Sequence, residues 1–140
     1  MRPNAYRWLG AACLLFASLS QAAPCDPSVP EPTWTQLTAP AVALRYRFLP
    51  DTVAVSQPLG IEVIACPRQG AVAPDNVRVD ARMPAHGHGM NYRPKTTQLA
   101  AGHYRFDGLL LHMPGQWQLI FDVTQAGQRT RLTAELELKP

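Results

Sequence analysis

The chain has 140 residues, with 13 lysines and arginines against 10 aspartates and glutamates and a formal net charge of +3 at pH 7. Two of the basic residues, Arg2 and Arg7, precede an apolar leader, which leaves 11 in the remainder and no Lys/Arg cluster interleaved with aromatics. That near-neutral balance excludes a phosphate-tracking nucleic-acid surface, and the length accommodates one domain, burying about 65% of its unfolded surface, but not two.

Residues 9–19 form an apolar run of 11 residues ending at Ser20, Gln21 and Ala22. The run falls short of the roughly 20 residues needed to cross a bilayer, and basic residues before it with small residues after it mark a secretory signal peptide over residues 1–22. The expected product is a periplasmic protein without a stable membrane anchor. Residues 23–40 follow as an arm holding Pro24, Pro27, Pro30, Pro32 and Pro40, extended because proline fixes φ and removes a donor. Two cysteines, Cys25 and Cys66, survive loss of the leader. In an oxidising compartment an even count favours a disulfide, which would staple the arm to a strand end and contribute about 2–4 kcal/mol. Two unpaired thiols, or two metal thiolates, are the other options.

The domain is expected over residues 41–140, where the apolar period becomes two. Residues 41–48 and 59–65 read as strands separated by Pro50, Asp51, Gln57 and Pro58. In residues 77–83, Val77, Val79, Ala81 and Met83 alternate with Arg78, Asp80 and Arg82, and Pro84 ends the run. Gly102 to Phe106 starts another strand, which Gly108 continues or bends. In residues 116–124, Trp117, Leu119, Phe121 and Val123 share a face. In residues 129–138, Leu132, Ala134, Leu136 and Leu138 do so, and Gln125, Ala126, Gly127 and Gln128 supply a hairpin turn between the two runs. No helical period is sustained. The expected fold is all-β, an immunoglobulin-like or cupredoxin-like sandwich of about seven strands.

Half of the four histidines and half of the four methionines lie in the eight residues from Met83 to Met90, and His112 and Met113 follow 22 residues later. In an extended segment His86, His88 and Met90 would leave one face while Gly87 and Gly89 keep the other bare. Imidazole and thioether together suit copper: thioether selects Cu(I), and imidazole also holds Cu(II). His112 and Met113 are adjacent, so a regular strand admits at most one of them to the cluster, with His112 favoured. Met83, in phase with Val77 and Val79, is expected in the core, and His103 is expected outward in solvent. Trp117 and Tyr104 are expected as core anchors, the Tyr104 phenol bonding back to the backbone. Asp107 and Asp122 are expected at a turn and on the solvent face.

The series Gly102, Tyr104, Gly108, Leu109 followed by Met113, Pro114, Gly115, Trp117, Leu119, with Met83 and Pro84 upstream, resembles the YtkA-like/FixH-like family. The resemblance covers residues 77–123 and implies a small exported immunoglobulin-like β-sandwich associated with copper supply to respiratory oxidases. FixH-like proteins are usually anchored in the membrane, unlike the product expected here.

The function these residues point to is copper binding through His86, His88 and Met90 with His112 or Met113, by a carrier, chaperone or sequestering protein. Its partners would be the copper ion and a periplasmic or membrane cuproprotein recipient. A metal-free immunoglobulin-like interaction module is the alternative. A small zinc hydrolase would use His86, His88 and His112 as three ligands, but only Tyr92 lies near as a proton shuttle, so no residue receives a catalytic role.

Overall fold

The computed structural model describes residues 33–68, 70–90 and 93–140. The expected signal peptide and Cys25 lie outside the described residues. Among the described residues nine strands form two antiparallel sheets packed face to face. They are β1 (Thr35–Thr38), β2 (Val42–Leu49), β3 (Pro58–Pro67), β4 (Asn76–Met83), β5 (His88–Gly89), β6 (Lys95–Ala100), β7 (His103–Leu110), β8 (Gly115–Gln125) and β9 (Gln128–Leu138). One sheet runs β1-β2-β3-β7-β6 and the other β5-β4-β8-β9.

The alternation seen in the sequence is what closes the sandwich. Val42, Leu44 and Tyr46 of β2 face Val77, Val79 and Ala81 of β4 and Leu119, Phe121 and Val123 of β8 in one buried cluster, with Phe106 and Trp117 among its largest side chains. β3 is central in its sheet, and residues 59–65 are buried on both faces. Its near-continuous apolar run has that cause.

Nine strands exceed the expected seven by two, and three of them, β1, β5 and β6, lie outside the runs read as strands in the sequence. β1 falls inside the stretch expected as arm and pairs with β2 from Thr35 opposite Tyr46 to Thr38 opposite Ala43, so the sheet begins before Ala41. β6 shows no apolar face because all six of its residues are exposed on a sheet edge. β5 is two residues long. Gly108 does bend β7: it is the extra residue where the register with β3 slips between Leu59 and Gly60, and its φ of 89° suits glycine. The expected hairpin turn between β8 and β9 is present, with positive φ at both Ala126 (46°) and Gly127 (77°) and Gln125 opposite Gln128. Asp75 secures it by accepting a hydrogen bond from the Ala126 amide at 2.9 Å.

Candidate metal centre

The end of β4 sets the site. After Met83, Pro84–His86 make one 3-10 turn, and the Gly87 amide donates to the carbonyls of Met83 (3.1 Å) and Pro84 (3.3 Å). Gly87 takes a left-handed φ of 67°, which reverses the chain at little cost. The chain then returns as β5, with His88 opposite Met83 and Gly89 opposite Arg82, and the Met90 amide donates to the Ala81 carbonyl at 3.1 Å. A Cβ on Gly89 would stand 2.8 Å from that carbonyl oxygen, so only glycine permits so close a return. The turn carries His86 out of the extended phase expected for it. His86 is exposed and His88 half-buried.

His112 arrives from the link between β7 and β8. Its carbonyl accepts from the Ser56 hydroxyl at 3.5 Å, and the neighbouring Leu111 carbonyl accepts from the Ser56 amide at 2.8 Å. The ring centroids of His88 and His112 are 5.2 Å apart, and those of His86 and His88 are 5.7 Å apart. Trp117, fully buried, forms the floor: His112 and His88 stand almost perpendicular to its ring at 5.5 and 6.4 Å. The indole N–H donates to the Met113 carbonyl at 2.9 Å, which fixes the backbone beside His112.

An imidazole bound at about 2.0–2.1 Å places its ring centroid roughly 3 Å from the metal, so two rings sharing a tetrahedral ion sit roughly 5 Å apart. The His88–His112 pair has that spacing. With its proton on Nδ1, 3.4 Å from the His86 carbonyl, His88 keeps a lone pair on Nε2, and this atom is buried without a hydrogen-bond partner. A buried imidazole nitrogen left bare is unfavourable unless something binds it. Among the described residues, however, no three His, Cys, Asp or Glu side chains are grouped to hold a metal ion. Met113 is half-buried against the core beside His112, and Met90 is half-buried against the core further along β4. His88 therefore stands between His86 and His112 without the three imidazoles forming one metal-holding group, and the two thioethers lie against the core. Met83 is a core residue, 1% exposed. Cys66, at the end of β3, is disulfide-bonded.

Two sequence expectations need correction. His103 does lie on the outward face but is half-buried there rather than facing solvent: its Nε2 lies 2.6 Å from Glu62 Oε1, and the other carboxylate oxygen, Oε2, accepts from Arg47 at 2.6 and 2.9 Å. The outward face of β3 is central enough that β2 and β7 cover it, and the signal was a lone glutamate inside an apolar run. The Tyr104 hydroxyl is buried without a hydrogen-bond partner rather than bonded to the backbone, and burial, with Asp75 nearby, pushes it up from its ordinary value. Asp122 does lie on the solvent-side face of its strand, where Arg131 donates to it at 2.7 and 2.8 Å.

Burial alone would raise the Glu62 carboxyl, but the hydrogen bonds and charges of Arg47 and His103 outweigh it and hold the group below its ordinary value. A carboxyl lowered in the folded state contributes stability that is complete above its unfolded value and lost as pH falls through the folded one. Glu62→Gln should therefore lose less stability than the parent as pH falls below the ordinary glutamate value, in acid denaturation followed by fluorescence. Equal losses in both proteins would remove Glu62 as the source.

No known protein family matches the chain, and no curated protein matches it. Solved structures do. A DUF4426 family protein from Pseudomonas aeruginosa aligns over 78% of this chain and 97% of its own, at 11% identity and a TM-score of 0.53. The shared element is the fold. A DUF4785 family protein from Legionella pneumophila aligns over 70% of this chain and 28% of its own, at 13% identity and a TM-score of 0.48. The GAE domain of GGA2p from Saccharomyces cerevisiae aligns over 76% and 97%, at 8% identity and a TM-score of 0.36.

Proposed function

We propose that this chain is an exported copper-binding protein, a carrier or sequestering protein of the periplasm that holds the ion through His88 and His112, with His86 and a thioether from Met90 or Met113 completing the set. The observation that carries this reading is the bare, buried Nε2 of His88 beside the His112 ring. Export rests on the leader at residues 1–22, and the link to copper supply rests on the YtkA-like/FixH-like motif residues. Among the described residues no helix is long and apolar enough to cross a membrane. Exposure of His86 and His112 gives the ion a way out to a recipient cuproprotein, and the apolar floor at Trp117 keeps water from one side of it.

The second reading, a metal-free interaction module, is favoured by the lack of a three-residue His, Cys, Asp or Glu group among the described residues. Titration of the leaderless protein with Cu(I), Cu(II) and Zn(II) against a calibrated chelator separates the two. One equivalent of tight Cu(I), lost in the His86→Ala/His88→Ala variant and weakened toward acid pH because only neutral imidazole ligates, is the expected result. Stoichiometric binding retained by that variant would refute the site, and no tight binding of any metal would establish the metal-free reading.

A further inference from the structure

Three segments of the chain meet around His88 and His112. Residues 83–92 supply His88, residues 108–121 supply His112 and Trp117, and residues 52–61 supply Ser56, which donates to the carbonyls of Leu111 and His112. Lys, Arg, Asp and Glu make up 16% of the chain, yet none falls in these three segments. Charged groups on the strands beside them are tied up on the outward face of β4, β8 and β9: Arg82 donates to Gln118 at 2.8 Å, and Gln118 donates to Glu135 at 2.9 Å. Among the described residues no Asp, Glu or Cys joins the His88–His112 pair as a third donor. The donors at hand are therefore neutral, imidazole first and thioether beside it, and the floor is the indole of Trp117.

The solvation an ion gives up on leaving water grows with the square of its charge, so a divalent ion loses about four times as much as a monovalent ion of equal size. Carboxylates and thiolates offset that loss by charge, whereas neutral nitrogen and sulfur donors supply dipoles alone. Coordination number acts in the same direction. Structural Zn(II) takes four protein ligands and catalytic Zn(II) three, more than this pair presents. The monovalent coinage-metal ions, soft and without a d-electron geometric preference, are satisfied by two or three such donors. The bare Nε2 of His88 beside the His112 ring meets that smaller demand.

We infer that this site selects monovalent soft cations: it takes silver(I) as well as Cu(I) and leaves Cu(II) and Zn(II) in solution. The inference rests on the copper reading above and narrows it, since copper is then carried in its reduced state alone.

The test is a set of competition titrations of the leaderless protein with Ag(I), Cu(I), Cu(II) and Zn(II), each against a calibrated chelator. Cys66 is disulfide-bonded and offers no thiol to the silver. One equivalent of Ag(I) should bind, shift the ring nitrogens of His88 and His112 in isotope-labelled protein, and give way to Cu(I) one for one. Cu(II) and Zn(II) should bind at least about a hundredfold more weakly. His86→Glu places a carboxylate at an exposed position beside His88 and should raise Zn(II) affinity about tenfold with little change for Ag(I). Cu(II) or Zn(II) held as tightly as Ag(I), and lost in His88→Ala, would overturn the inference and leave the copper reading standing. Zn(II) affinity unmoved by His86→Glu would remove charge as the cause and overturn it too. If Ag(I) and Cu(I) both fail to bind, or both persist in His88→Ala, the copper site itself is refuted.

Discussion

Trp117→Ala is expected to lower the unfolding free energy by about 3–5 kcal/mol in urea denaturation, the largest effect of any single truncation in this core. Trp117 is the largest of the fully buried side chains, and the variant loses the apolar contacts of both sheets together with the bond from the indole to the Met113 carbonyl. The carbonyl is then left without that donor, which adds to the cavity cost. Trp117→Phe, which keeps most of the volume and loses the N–H, separates these contributions: a cost within about 1.5 kcal/mol would assign the effect to volume. The truncation should also reach the imidazoles, because His88 and His112 stand on the indole. A Trp117→Ala protein as stable as its parent would mean that the floor is not part of the core.

Met83→Ala should cost about 2–5 kcal/mol, since the side chain is buried and its terminal methyl lies against Gly115. Met83→Leu conserves volume and should fall within about 1.5 kcal/mol of the parent. The pair of variants also separates packing from ligation. Met83→Leu removes the thioether while keeping the core, so unchanged Cu(I) stoichiometry is expected, and loss of the equivalent in a stable Met83→Leu protein would make Met83 a ligand.

Strands whose side chains face a core were legible because burial imposes a period of two on residues such as Val77, Val79 and Ala81. β6 was not, because Lys95 to Ala100 have no buried face to pattern, and β1 was hidden among prolines whose usual effect is to break strands. At the candidate centre, adjacency in sequence identified His86 and His88, and the Gly87 turn explains why their geometry differs from an extended segment. The approach of His112 to His88 depends on the β4–β8 pairing, a long-range contact that spacing alone does not encode. The Glu62 cluster was missed for a related reason. Three residues from three strands, Arg47, Glu62 and His103, meet only when β2, β3 and β7 are adjacent.

The brevity of β5 governs how the imidazoles move. His88 is held to the sheet by a two-residue pairing, whereas β4 and β8 beneath it are paired over seven positions. Local openings concentrate where few backbone bonds must break, so the hairpin carrying His86 and His88 can detach and reclose while the sandwich stays folded. Its amides should exchange with solvent well before those of β8, and entry or departure of anything bound there would follow the lifetime of that hairpin instead of the unfolding rate of the domain.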